Sequence, residues 1–289
     1  MRKVPIIILI LFWFLSITNF LNCQNLVLSG EFGKFLGAKS FSITTSGFIY
    51  VTDTTSNELI KLDTLGNVIK FISGYGWQVS AFDEPVDVYA TPLNVYVSDK
   101  NNNRIQYFDK DLNFLSQFST QNSTDSRYIF NYPTCSAVSN QGDFFILDSD
   151  NRRILKFNIR GEFQTTIGGF DAGEFALANP ASFAITNSSK LLVVDPPSIV
   201  EFDQFGNGIR KFSLPFEPNN INSLLQKITI NNNDEVAILS NTDLENGIVE
   251  PLTLKPGLNK RIMDTCVVGS RLFVLTTEAI SIFRIILPK

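Results

Sequence analysis

Four aspartates recur along this 289-residue chain, each closing a short apolar run. Asp53 follows Ile49-Tyr50-Val51-Thr52, Asp99 follows Val95-Tyr96-Val97-Ser98, Asp148 follows Phe145-Ile146-Leu147 and Asp195 follows Leu192-Val193-Val194, at spacings of 46, 49 and 47 residues. A carboxylate before a polar, Asn-rich turn has two chemical uses. It can give oxygens to Ca²⁺, or it can accept backbone N–H groups and fix the turn. Asp99 to Asn103 and Asp148 to Asn151 do not have EF-hand spacing. A catalytic group is needed once, whereas these recur in every clear copy, so the turn-fixing role is expected.

The chain contains no histidine. That removes His-ligated zinc, Ser-His-Asp and Cys-His catalysis, and imidazole acid–base chemistry. Two groups of side chains remain as a possible binding surface. Tyr75 and Trp77 lie in the loop Gly74-Tyr75-Gly76-Trp77, where aromatics suit a peptide or glycan, or pack on a neighbouring unit instead. Glu84, Asp87, Asn131 and Asp264 are polar groups of the kind that line a channel mouth. No residue is assigned a catalytic role and no cofactor is expected. Gly168-Gly169 serves a chain reversal and is not a phosphate loop.

A period of 46–49 residues implies one supersecondary unit copied several times. Each copy reads as four strands. The first begins near Pro in Phe82-Asp83-Glu84-Pro85, Phe130-Asn131-Tyr132-Pro133 and Leu177-Ala178-Asn179-Pro180, where a missing N–H breaks no ladder. Phe35-Leu36-Gly37-Ala38 matches without the Pro. The second strand ends in Asp. The third spans Leu59 to Asp63, Ile105 to Asp109, Ile154 to Asn158 and Ile199 to Asp203, and a Gly-containing hairpin such as Thr64-Leu65-Gly66-Asn67 leads to the fourth.

Continuous apolar runs such as Phe144-Phe145-Ile146-Leu147 belong to strands covered on both faces. Sheets packed face to face in a ring meet that demand, so the expected fold is an all-β, six-bladed β-propeller of four-stranded antiparallel blades. The 26 phenylalanines are assigned to packing between blades. Two further blades come from Lys227 to Ile230 with Glu235 to Ser240, and from Met263 to Val268, Arg271 to Thr276 and Ala279 to Ile285. The last lacks a fourth strand, and Asn25-Leu26-Val27-Leu28-Ser29 is expected to supply it and close the ring.

Asn94-Val95-Tyr96-Val97-Ser98-Asp99-Lys100-Asn101-Asn102-Asn103-Arg104-Ile105-Gln106-Tyr107-Phe108-Asp109 resembles the core of the NHL repeat family, and Ser149 to Asn158 gives a second good copy. The first copy departs at the Arg, the fourth has lost its polar turn, and the last two keep only strand periodicity. The resemblance covers residues 30 to 285. It implies the propeller fold, and among six-bladed relatives it includes calcium-dependent lactonases and a zinc-dependent amidating lyase. The absence of histidine excludes the lyase chemistry. The expected function is a binding platform for a protein, peptide or carbohydrate partner, more consistent with a non-enzyme. The alternative is a calcium-dependent lactonase- or esterase-like hydrolase using channel-mouth carboxylates.

Arg2-Lys3 and the apolar run Val4 to Ile17 have the form of a signal peptide spanning 1–23, leaving 24–289 as a single domain. Cys23 is the alternative, as a lipidated first residue, although Phe20-Leu21-Asn22 lacks the small residue of a lipobox. The expected location is extracytoplasmic, either secreted or periplasmic or as an outer-membrane lipoprotein, in a bacterium, with no later membrane span. Asn122-Ser123-Thr124 and Asn187-Ser188-Ser189 would be glycosylation acceptors only in a eukaryote. A formal charge of −4 with scattered Lys and Arg offers nothing to nucleic acid. Cys135 and Cys266 fall on inner strands of opposite blades, too far apart for a bridge, and are expected as free buried thiols.

Overall fold

Strands that are apolar on both faces need a neighbour above and below, and the chain supplies it by closing sheets into a circle. The computed structural model describes residues 26–286, in which six four-stranded antiparallel sheets form a propeller. Blade one contains Ala38–Ile43, Phe48–Asp53, Glu58–Asp63 and Val68–Ser73. Blade two contains Pro85–Ala90, Asn94–Asp99, Arg104–Asp109 and Phe114–Phe118; blade three contains Cys135–Val138, Phe144–Asp148, Arg153–Phe157 and Phe163–Ile167. Blade four contains Ser182–Ile185, Leu191–Asp195, Ser198–Phe202 and Gly208–Ser213. The first strand of each blade is innermost, and these inner strands touch in cyclic order.

The closure is as expected. Ile262–Val268, Arg271–Thr276 and Ile280–Ile285 form blade six, and Leu26–Phe32 adds its outer strand with Leu26 opposite Ile285 and Phe32 opposite Ile280. The first 25 residues, and with them the signal segment and Cys23, lie outside the described residues, as do 287–289. Among the described residues no helix is long and apolar enough to cross a membrane.

Blade five corrects the sequence reading. The 45-residue step from Asp195 to Ser240 places Glu235 to Ser240 as a second strand, but the sheet is Asn220–Leu224, Lys227–Asn231, Val236–Ser240 and Leu252–Leu254. Asn231 therefore holds the place of the repeated Asp, opposite Asn220. A tight turn at Leu225, with φ +53, shortens the inner hairpin, and the helix Asn241–Glu245 lengthens the outer connection. The link from Ser213 to Asn220 is also shorter than the links between the earlier blades, so Asn231 follows Asp195 by only 36 residues and the third strand ends where the repeat spacing leads one to expect the second.

There is no single central core. Six apolar clusters each sit between one pair of neighbouring blades. Alternate residues of one strand serve opposite interfaces: Phe145 and Leu147 pack toward blade four, Phe144 and Ile146 toward blade two. Each fully buried aromatic or aliphatic side chain contributes about 1.5–3 kcal/mol. Cys135 and Cys266 are free and buried, as expected, on the inner strands of blades three and six. Outer hairpins approach the preceding blade closely enough to require glycine: Gly66, at φ +90, would put a Cβ 2.4 Å from the Phe32 ring.

Candidate functional site

The repeated aspartates are turn anchors. Asp53 accepts the N–H groups of Leu36 and Gly37, at 2.7 and 2.9 Å, and those of Thr55 and Ser56 at 3.0 Å. It thus ties its own turn to the chain entering the blade. Asp195 holds Ala178 and Asn179 in the same way, and Asp148 holds Asn131 N–H together with the Asn151 amide and Arg153 Nε. Asp99 accepts Asp83 N–H and Arg104 Nε, both carboxylate and guanidinium being buried. Both oxygens of each of these carboxylates accept hydrogen bonds locally, so they are engaged in holding the turns.

Arg104 does more than pair with Asp99. Its remaining four guanidinium N–H groups reach the carbonyls of Trp77, Gln78 and Ala81 and the Gln117 side chain, at 2.7–2.9 Å. Asn102 adds a bond to the Gly76 carbonyl. The loop leading into blade two is therefore pinned by its backbone while its side chains are free. Tyr75 and Trp77 are 77% and 81% exposed. They do not pack on the neighbouring blade, the alternative that the sequence left open.

The four polar candidates part company. Glu84 sits in the blade-two entry turn at φ +61 and is ion-paired to Lys100 at 2.8 Å. Asn131 occupies the equivalent turn of blade three, its side chain receiving Gln121 at 3.2 Å. Neither lines the channel cavities. Asp87 and Asp264 do, and they converge: Ser40 Oγ lies 3.0 Å from Asp87 Oδ1 and 3.4 Å from Asp264 Oδ2.

Three β-bulges produce that meeting. Register shifts fall between Ala38 and Ser40, Pro85 and Asp87, and Ile262 and Asp264, on the adjacent inner strands of blades one, two and six. A bulge re-aims the next side chain, and the next residues are Ser40, Asp87 and Asp264. The inner strands of blades three, four and five pair without a shift. Burial pushes Asp87 up to about 6, against hydrogen bonds from Ser136 and Ser40. Burial likewise raises Asp264 to about 8, opposed by bonds from Phe41 and Thr265 and assisted by the Asp87 charge.

At the face where the inner strands begin, the channel opens into a cavity of about 260 Å³ lined by Lys39 and Arg261 with Asn219, Asn220 and Thr134. Desolvation and the Arg261 charge lower the Lys39 pKa, with Asp264 acting in the opposite sense. Sequence reasoning missed Lys39, Ser40 and Arg261: the first two lie at the blade-one bulge, and Arg261 lies just before the inner strand of blade six. The opposite mouth, about 310 Å³, is lined by uncharged groups including Thr44, Thr91, Ser139 and Asn187.

Ca²⁺ is a poor fit here. Both Asp87 oxygens and both Asp264 oxygens already receive hydrogen bonds from the inner strands or Ser40. Among the described residues no group of three or more acidic, cysteine or histidine side chains could hold a metal.

No family model matches the chain. The protein brain tumor of Drosophila melanogaster is 32% identical over 143 residues, covering 48% of this chain and 13% of that protein's length. Virginiamycin B lyase from Staphylococcus aureus superposes with a TM-score of 0.64 at 12% identity, over 90% of this chain and 99% of that one. A histidine-to-alanine variant of that lyase is catalytically inactive. A candidate 6-phosphogluconolactonase from Bacteroides uniformis gives a TM-score of 0.56 at 16% identity, over 81% and 76% of the two chains. Likenesses at 12–16% identity show the six-bladed fold and nothing of activity.

Proposed function

We propose that this chain is an NHL-type propeller serving as a binding platform for a protein, peptide or carbohydrate partner. The resemblance of its Asp99–Arg104 and Asp148–Arg153 turns to that family supports the reading, as does the partial identity to the brain tumor protein. The observation that carries the platform role is the loop Gly74–Phe82. Its backbone is locked by Arg104 and Asn102 while Tyr75 and Trp77 stand in solvent. Rigid, exposed aromatics lose little conformational freedom on binding, which is what a recognition surface requires. They share a face with the Lys39 and Arg261 mouth, so a partner carrying an acidic group is favoured. The apolar segment Val4 to Ile17 supports action outside the cytoplasm.

The competing reading, a calcium-dependent hydrolase, draws on Asp87 and Asp264. Their oxygens are occupied by the inner strands, and the chain has no histidine to replace them in acid–base chemistry. Glycan and peptide arrays probed with the protein and with Trp77→Ala test the platform. We expect a ligand whose binding falls at least about tenfold in Trp77→Ala, with melting unchanged. Ligands that bind both proteins equally would move the site elsewhere. A rise in melting temperature with Ca²⁺ would instead favour the hydrolase.

A further inference from the structure

The repeats provide an internal comparison at one position of the third strand. Lys61, Tyr107, Lys156 and Glu201 are equivalent, lying opposite Tyr50, Tyr96, Phe145 and Leu192. In blade one, Lys61 crosses to Asp111 in the outer hairpin of blade two, at 2.9 Å, with its ammonium 4.1 Å from the Phe48 ring centre. Lys70 and Tyr50 reach the same hairpin through the carbonyls of Asp111 and Lys110. In blade three, Lys156 crosses to the Gln204 carbonyl of blade four at 2.8 Å. In blade four, Glu201 holds Arg210, which reaches the Leu244 carbonyl of blade five.

Between blades two and three this crossing is missing. Tyr107 replaces the lysine, Ser116 replaces Lys70, and neither makes a hydrogen bond to the blade-three hairpin Asn158–Glu162. A groove of about 540 Å³ remains, walled by Tyr96, Tyr107, Phe118 and Phe144. The rings meet mostly edge to face, Tyr107 standing 4.8 Å from Tyr96 and 5.5 Å from Phe144. At the turn position where blade two has Asp111, blade three has Arg160. Arg160 lines the groove, is exposed, and has no carboxylate at ion-pair distance among the described residues. The site has thus lost its internal cation and exchanged an acidic rim for a basic one.

We propose that the groove between blades two and three binds a small aromatic anion, its ring laid against the exposed parts of Tyr96, Tyr107 and Phe118 and its carboxylate on Arg160. The volume lies in the range of small-molecule sites, and the aromatic wall is bordered by polar side chains including Asn94, Gln117 and Asn158. An aromatic guest continues the edge-to-face arrangement of the walls. Arg160 and the tyrosine hydroxyls supply donors to an anion, and the former lysine position leaves the space. This site is distinct from the Trp77 loop and stands or falls separately from the platform reading.

The test uses the protein with indole-3-carboxylate, indole-3-carboxamide and benzylammonium as probes, followed by ligand-observed NMR and calorimetry. Indole-3-carboxylate should bind about tenfold more tightly than the carboxamide, the ordinary gain from one charge-assisted contact. Arg160→Gln, a change at an exposed side chain, should bring the two affinities together. The pair Tyr107→Lys with Arg160→Asp rebuilds the Lys61–Asp111 bridge and should abolish binding while melting stays equal or rises. Equal affinities for acid and amide in the unaltered protein, tighter binding of benzylammonium, or unchanged affinity in the double variant would each overturn the proposal. So would the absence of binding by every probe up to about 10 mM.

Discussion

Asp264 in blade six accepts a hydrogen bond from the backbone N–H of Phe41 in blade one, at 3.1 Å. A carboxylate therefore joins the inner strands of the two blades between which the ring closes. Asp87 repeats the device from blade two to blade three through Ser136 N–H at 3.1 Å, and Ser40 lies between the two acids. Inner strands are sheet edges with unpaired amides, and side chains from the neighbouring blade satisfy them here.

This pair makes stability depend on pH in an unusual direction. Both carboxyl groups are raised in the folded protein, to about 6 and about 8, above the ordinary aspartate value of 3.8. The folded state holds more protons than the unfolded one between these limits, so the contribution is full below about pH 4 and is lost as pH rises. For Asp87 the loss is complete somewhat above pH 6, for Asp264 above pH 8. Cys135 and Cys266, also raised chiefly by burial, stay protonated across that window. Melting temperature should decline between about pH 4 and pH 8 through this pair, and Asp264→Asn should flatten the decline. A slope unchanged in Asp264→Asn would show that the group titrates normally.

A second expectation concerns Arg104. Arg104→Ala removes every guanidinium bond that pins the Trp77 loop and leaves Asp99 buried without its countercharge. Losing one partner of a buried pair destabilises by about 3–5 kcal/mol. The same change at Arg153, more exposed at 17%, should have a smaller effect. Urea denaturation gives the comparison, and limited proteolysis should cut Arg104→Ala between Gly74 and Phe82 well before the unaltered protein. Equal midpoints for the two variants would contradict the assigned clamp.

The fold is legible where each repeat states its own evidence. Asp53, Asp99, Asp148 and Asp195 mark second-strand ends because the turn after each needs an acceptor, and the spacing carries that signal. Blade five escapes a correct register because Asn231 stands in the Asp position after the interrupted run Ile228-Thr229-Ile230 and only 36 residues past Asp195. The site is legible only in its parts. Asp87 and Asp264 can be named as polar inner-strand residues, but their approach depends on bulges at Lys39, Val86 and Met263. No local residue pattern announces those bulges. Tyr107 is hidden for another reason: Tyr and Lys both suit a strand, and the difference matters only against the next blade's turn.

Ring closure gives the last prediction. Leu26 and Phe32 cover the clusters on either side of blade six, and Ser29 Oγ reaches the Ile282 carbonyl at 3.0 Å where the outer strand is bulged. Deleting residues 24–30 would expose the Ile280–Ile285 edge and withdraw side chains worth about 1.5–3 kcal/mol each when fully buried. Only part of that applies to these half-exposed groups, but domain stability totals about 5–15 kcal/mol. The shortened protein should melt far earlier or aggregate through the new edge. Because aggregation alone is a weak readout, a crosslink provides an independent one. Val27 lies opposite Arg284 in the antiparallel pair, within the Cα separation that a disulfide spans. Val27→Cys with Arg284→Cys should oxidise to a closed ring that migrates differently under non-reducing conditions and unfolds later than its reduced form. Failure to crosslink in folded protein, or a deletion variant with unchanged melting, would mean that the N-terminal strand does not close the sixth blade.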